Sequence, residues 1–151
     1  MFISILIGLI VVGITVVIQV YGTTFWVYRY HKKIDTLGRK TFRKVITRIL
    51  MLTTMFFIFL HLIQATIWAL TYLWLPAVTE FDTLEKAVYF SLVTFTTVGY
   101  GDVTINSDYR ILAGLEAING VLMIGWSTAA MIAMFREIMK RDKRLSDLKK
   151  N

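Results

Sequence analysis

Between Met1 and Tyr28 the chain carries no charged side chain, and two further runs, from about Ile49 to Leu75 and from about Asp108 to Phe135, are also long and mostly apolar. Each exceeds the roughly 20 residues a helix needs to cross a bilayer. Inside hydrocarbon every backbone polar group has to be paired within the protein, so such runs become helices rather than irregular chain. The expected fold is therefore all-α and membrane-embedded, with three transmembrane helices. A mean hydropathy of +0.62 and 56% hydrophobic residues agree with that class. A cleaved leader is the competing reading of the first run, but the basic n-region is missing, the apolar stretch is too long, and no small-residue cleavage site precedes the basic segment. Without cysteine, disulfides and thiolate metal sites are excluded.

The net charge of +7 invites a nucleic-acid reading, but its placement argues for topology. Residues 29–48 hold eight Lys/Arg and one acid, and residues 136–150 hold seven Lys/Arg and three acids. Residues 76–110 hold five acids and two bases. Bases gathered beside apolar spans mark the cytoplasmic side, which places the N-terminus outside and the C-terminus inside. No nucleic-acid partner is expected. The segments Arg29–Arg48 and Arg136–Lys150 should instead lie against anionic lipid headgroups. Arg29–Arg48 lacks the every-third arginine within an apolar helix that a voltage sensor needs, and Gly38 should break it into short helical pieces. His31 belongs to its solvated face. The expected organisation is an additional N-terminal helix (1–28), a basic cytoplasmic linker (29–48), a pore domain (49–136) and a basic tail (137–151).

The second span gathers Trp68, Tyr72 and Trp74 toward its end, as an interfacial aromatic belt would. His61 and Gln64 must face protein or water, most simply a neighbouring helix. Pro76, the single proline, stops the helix. Asp82 followed by Glu85 resembles a capping box, opening a helix over about 82–96. Thr83 to Phe95 gives only about 20 Å of helix, against a hydrocarbon core of roughly 30 Å. That helix should enter from outside, stop partway and pass the chain to Thr96-Thr97-Val98-Gly99-Tyr100-Gly101-Asp102.

This last stretch is a poor helix and a poor span. Non-helical backbone at membrane depth is tolerated only where protein buries it or where it lines a water-filled path. The dinucleotide fingerprint fails because Thr104 stands where a third glycine is needed, and no G-K-[ST] follows for a phosphate loop. An ion path remains. Gly99 and Gly101 allow backbone angles that turn successive carbonyls toward one axis, with Val98 and Tyr100 pointing away from it to pack behind. Carbonyls from Thr97 through Tyr100, with the Thr97 hydroxyl below, can replace the hydration shell of a cation. One strand supplies too few oxygens, so the ring has to be built from several copies of the chain.

Thr97-Val98-Gly99-Tyr100-Gly101, with Asp102 after it and Thr94-Phe95-Thr96 before it, resembles the selectivity filter of the potassium channel pore family. It is similar to the prokaryotic two-helix pore type, here with one additional N-terminal helix. The resemblance covers about residues 45–136 and implies an outer helix (49–75), a pore helix (82–96), a filter (97–101) and an inner helix (108–136). It further implies a homotetramer around a potassium-selective path, K+ as the conducted ion held at Thr97, Val98, Gly99 and Tyr100, and a bacterial or archaeal plasma membrane. Gly120 falls where the family often has a hinge glycine, and Gly125 is a second small position. Val121, Ile124, Thr128 and Ile132 fall at helical spacing and could line the cavity, with Ile132 as the closed constriction.

Three positions depart from the pattern. Val93 replaces the pore-helix glutamate of some prokaryotic relatives, and Tyr89 and Phe90 replace a tryptophan pair. Tyr89 should donate a hydrogen bond to Asp102. Glu116 is an acid inside a span and needs a partner. It either braces the filter through Thr94 or Thr96, or bonds to Asn119 or another neighbour.

Against passive potassium conduction stand a non-selective cation channel, a potassium-uptake transporter subunit and a non-conducting regulatory subunit. Transporter subunits carry four degenerate repeats in one chain, and the filter string here is intact. An enzyme is not expected, since the two isolated histidines, His31 and His61, leave nothing to carry chemistry. No ligand-binding domain is expected after Arg136, and the gating stimulus stays open.

Overall fold

The lengths of the apolar runs set the architecture. The computed structural model describes the backbone of residues 2–34, 39–106 and 109–147, and the side chains of these apart from 31–45 and 142–147. It is all-helical over those residues: α1 (Phe2–Ile34), α2 (Arg39–Trp74), α3 (Leu84–Phe95) and α4 (Arg110–Asp147). Phe2–Tyr30, Ile46–Trp74 and Arg110–Arg141 are long and apolar enough to cross a membrane. At 12 residues, α3 rises about 18 Å and is too short to cross.

Helix continues well into the basic segments. The sequence puts short helical pieces between Arg29 and Arg48 and a basic tail over 137–151; instead α1 runs to Ile34, α2 starts at Arg39, and α4 is unbroken to Asp147. Lys and Arg are good helix formers, and no glycine or proline interrupts these stretches. The expected break at Gly38 lies outside the described residues. At its other end α2 stops at Trp74, two residues before Pro76, whose ring disfavours helical backbone at Leu75. A turn with Val78 N–H donating to Leu75 O at 2.9 Å then redirects the chain.

The start of α3 differs from the capping box read from Asp82 and Glu85. Its N-cap is Thr83, in extended backbone (φ −135°, ψ 152°), whose hydroxyl accepts from Lys86 N–H at 3.3 Å. With Lys86 at the third helical position, no glutamate reaches back, so the cap is one-sided. Asp82 accepts from Lys86 Nζ at 3.2 Å instead. Its carboxyl sits below the usual range, first through its own backbone N–H and then through Lys86.

Trp68 and Tyr72 face neither lipid nor water within the chain. Both are fully buried, and only Trp74 of that trio is exposed. The reason is α3, whose apolar face must be covered by α2. Tyr72 packs edge-on against Phe90 (ring centroids 5.4 Å), Phe81 lies 5.0 Å from Phe90, and Trp68 closes the cluster behind Tyr72 at 6.3 Å. Such aromatic pairs add about 0.5–1.5 kcal/mol beyond their area.

α1 lies against both α2 and α4. Its buried residues Ser4, Val11, Thr15 and Gln19 fall at seven- and four-residue steps along one stripe, with Gly8 in the same row. Small residues let the helices approach closely, and at Gly8 an added Cβ would run into the end of Leu115 on α4. The polar members of the stripe are wired across. Gln19 donates to Ser127 Oγ at 2.9 Å and accepts from Gln64 Nε2 at 2.9 Å, and Thr15 donates to Asn119 Oδ1 at 3.1 Å. His61 Nε2 lies 3.1 Å from Ser127 Oγ. His61 and Gln64 thus face neighbouring helices.

Candidate functional site

The end of α3 shapes the filter stretch. Thr96 is the C-cap (φ −83°, ψ 0°), Thr97 N–H donates to Thr94 O at 2.9 Å, and Val98 N–H donates to Val93 O at 2.9 Å. This pair of bonds is a Schellman motif, which requires the residue after the cap to be left-handed. That residue is Thr97, at φ 62°. Glycine usually fills such a position, and a β-branched residue there stores strain of about 1–3 kcal/mol. Gly99 N–H also reaches Val93 O, at 3.2 Å, so one carbonyl holds two successive amides of the emerging strand.

Left-handed backbone recurs at Gly99 (φ 54°) and Gly101 (φ 78°). Among the described residues positive φ occurs at these three alternate positions, with Val98 and Tyr100 negative between them. Alternation of φ sign turns successive peptide planes the same way, unlike a strand, whose carbonyls alternate. Such alternation can aim the carbonyls of this segment to one side. At Gly99 and Gly101 no atom lies within 4 Å of where a Cβ would sit, so backbone conformation rather than space dictates glycine. Thr96 through Asp102 are exposed, and the side chains of Val98 and Tyr100 are uncovered within the single chain.

Around this strand the chain supplies a brace and a hollow. Tyr89 on α3 donates to Asp102 Oδ2 at 2.7 Å, and this bond, before any burial, pushes its hydroxyl above the ordinary tyrosine value. Glu80 accepts from Asn106 N–H at 2.8 Å, tying the loop before α3 to the loop after the filter. Behind the strand is a cavity of about 260 Å³ whose walls include Tyr89, Val93, Thr94, Gly99, Asp102 and Arg110.

On α4 the structure separates two faces. Leu112, Glu116, Asn119, Gly120, Met123 and Ser127 are buried against the other helices. Val121, Ile124, Gly125, Thr128 and Ile132 lie on the opposite, open side, with Thr128 Oγ1 turned back to Ile124 O at 2.9 Å. Gly120 sits against backbone. A Cβ there would lie 2.7 Å from the carbonyl carbon of Phe95 and 3.0 Å from its Cα, closer than real contacts allow.

Glu116 is fully buried, and its partner is neither Thr94, Thr96 nor Asn119. Tyr72 on α2 donates to Glu116 Oε2 at 2.7 Å, and Ser91 on α3 is the other polar group beside the carboxylate. The two expected hydroxyls are out of play for a physical reason in one case: Thr96 Oγ1 donates to Leu92 O at 2.7 Å on its own helix. Asn119 Oδ1 accepts from Thr15, and its buried Nδ2 makes no hydrogen bond to the carboxylate. Sequence reasoning missed Thr15, Gln19, Ser91, Tyr72 as a polar partner, and Ser127. For α1 the signal was present, as polar residues at positions 4, 15 and 19 share one face of an otherwise apolar helix. Among the described residues no group of three or more His, Cys, Asp and Glu could hold a metal ion.

A family model described as an ion channel matches residues 56–137, just over half of the chain, from the middle of α2 through the filter stretch and along α4. The chain belongs to this ion channel family. Its curated relatives include the potassium voltage-gated channel protein shk-1 of Caenorhabditis elegans, 32% identical over 72 residues, which are 47% of this chain and 13% of the relative. The potassium voltage-gated channel protein Shal of Drosophila melanogaster is 30% identical over 67 residues, 44% of this chain and 12% of that protein. Human potassium voltage-gated channel subfamily A member 5 is 35% identical over 65 residues, 42% and 11% respectively. The ion channel chain thus spans only about an eighth of the length of these relatives. No solved structure is a match.

Proposed function

We propose that this protein is a potassium-selective channel, a homotetramer that conducts K+ passively through a ring of backbone carbonyls from Thr97, Val98, Gly99, Tyr100 and Gly101. The observation that carries this reading is the alternation of left-handed backbone at Thr97, Gly99 and Gly101 in a strand exposed on a single chain. Carbonyls on one side of one chain are too few to replace a hydration shell, whereas four chains around an axis supply enough. The uncovered Val98 and Tyr100 side chains then find their packing against a neighbouring copy. The C-terminal end of α3, with its partial negative charge, lies at the base of the filter and favours a cation there.

The open face of α4 lines the path below the filter, with Gly120 and Gly125 as points of bending and Ile132 as the constriction that closes by dewetting. Tyr89, Thr94, Thr96 and Asp102 support the filter. The N-terminus lies outside and the C-terminus in the cytoplasm of a bacterial or archaeal cell, with the basic ends of α1, α2 and α4 against anionic lipid. The relatives' voltage gating is not part of the reading, since none of the described helices carries arginine at every third position.

The test is the reversal potential of the purified protein in planar bilayers under opposed K+ and Na+ gradients. Reversal near the potassium equilibrium potential is expected, with cross-linking giving species up to a tetramer. Reversal midway between the two ions would replace this reading with a non-selective cation channel. Absence of current from bilayers that contain the tetramer would replace it with a non-conducting subunit.

A further inference from the structure

Among the polar groups inside the spans, Glu116 stands where α2, α3 and α4 meet. Its carboxylate stands between three helices: Tyr72 of α2 donates to Oε2 at 2.7 Å, Ser91 of α3 lies beside it, and α4 carries it. All three side chains are fully buried. Oε1 and the Ser91 hydroxyl fall short of hydrogen-bond geometry with each other and have no other partner, so the Ser91 side of the cluster is poised rather than closed. An unpaired polar atom in an apolar interior is costly, which favours any small motion that brings the two together.

The position of this cluster gives it consequence. Ser91 lies four residues before Phe95, and Glu116 lies four residues before Gly120. Four residues are one turn, about 6 Å of rise. α3 and α4 therefore meet at two rungs one turn apart, a polar one at Ser91 and Glu116 and a backbone one where Gly120 abuts Phe95. Close approach at the second rung fixes the separation of the helices. That rung alone does not set the rotation of α3 about its own axis; the packing of Phe90 against Tyr72 and Phe81 sets it coarsely, and a directional bond at the first rung would set it finely. A hydrogen bond formed between Ser91 and Oε1 by that small motion would be directional, and the carboxylate is anchored from behind by Tyr72. Any rotation of α3 would be carried through Phe95 and Thr96 into the Schellman motif and so into the carbonyls that follow Thr97.

We propose that Glu116 is a filter-positioning residue, acting through Ser91 and Tyr72 to set the rotation of α3 and hence the aim of the Thr97–Gly101 carbonyls. It touches no permeating ion. Its effect is on which cations the filter accepts, so the inference rests on the potassium-channel reading above.

The experiment uses the full chain in bilayers and compares E116L, E116Q, Y72F and S91A with the wild type. The readouts are the sodium-to-potassium permeability ratio and the melting temperature of the assembled channel. Glu116→Leu is expected to raise the ratio about tenfold, the equivalent of one lost buried hydrogen bond. Glu116→Gln stays within about twofold of wild type, because its amide oxygen still accepts from Tyr72 and its NH2 can donate to Ser91. Tyr72→Phe and Ser91→Ala shift the ratio in the same direction as Glu116→Leu, by less. An assembled E116L channel with the wild-type ratio overturns the proposal, and so does an E116Q channel as unselective as E116L. If E116L fails to assemble, wild-type ratios in both Y72F and S91A overturn it. A wild type that does not select potassium defeats the channel reading itself, a result distinct from selective wild type with unaffected variants.

Discussion

Replacing Gly120 with alanine tests the contact on which the filter rests. The new methyl carbon would lie 2.7 Å from the carbonyl carbon of Phe95, 3.0 Å from its Cα and nearer still to its carbonyl oxygen, where ordinary contact is 3.4–4 Å. All three atoms are backbone, so no side-chain rotation relieves the overlap, and the end of α3 must move away from α4 by roughly 1 Å or more. Overpacking of this kind costs about 1–3 kcal/mol, against which alanine returns at most about 1 kcal/mol of helix propensity. The displaced residues are the ones whose carbonyls at Val93 and Thr94 hold Val98 and Thr97. A shift of that size is comparable to the tolerance of ion coordination, so selectivity should fall along with stability. Gly114→Ala is the control: it sits on the same helix with no atom within 4 Å of its added carbon, and should be neutral or slightly stabilising. The assays are thermal unfolding of the purified protein and the sodium-to-potassium permeability ratio. A Gly120→Ala channel matching Gly114→Ala in both would refute the reasoning.

Gly99→Ala meets no atom, yet places a side chain at φ 54°; it should cost about 1–2 kcal/mol and abolish selective current, measured by reversal potential. Tyr89→Phe removes the 2.7 Å bond to Asp102 and should hasten the decline of current during sustained conduction. Because that bond raises the Tyr89 value, its contribution is fully present below tyrosine's ordinary value near 10 and is lost as pH rises through the raised one. Filter stability should therefore be flat from neutral pH to about 9 and fall only beyond, a fall that Tyr89→Phe would not show. Gln19→Leu strips the junction between Gln64 and Ser127 and should lower thermal stability by about 0.6–2 kcal/mol, less than additively with Ser127→Ala.

The spans, the half-length helix and the glycines of the filter were legible because each is fixed by local sequence: run length and the need for positive φ. The Tyr89–Asp102 bond was legible from the family resemblance, in which Tyr89 stands at one of the tryptophan positions and keeps a donor for Asp102. What stayed hidden depends on which helices touch. Thr97 looks like an ordinary strand residue until Thr94 and Val93 are seen to terminate α3 across it. Gly120 reads as a hinge from its position, whereas its lack of a side chain is demanded by the Phe95 backbone. Trp68 and Tyr72 imitate a membrane belt because the cover that buries them, Phe81 and Phe90, comes from further along the chain. Glu116 announced that it needed a partner without naming one, because Tyr72 is 44 residues away.

The motif that ends α3 also limits how such a chain can vary. Because the left-handed residue is defined by its distance from the carbonyls of Val93 and Thr94, removing or inserting one residue between Thr83 and Thr96 would swing the strand by about 100° around the helix axis. The aim of every later carbonyl would swing with it. Substitutions are absorbed one at a time, but length is not. Residues 83–102 therefore behave as a single cassette of fixed count, to be exchanged between pores whole or not at all.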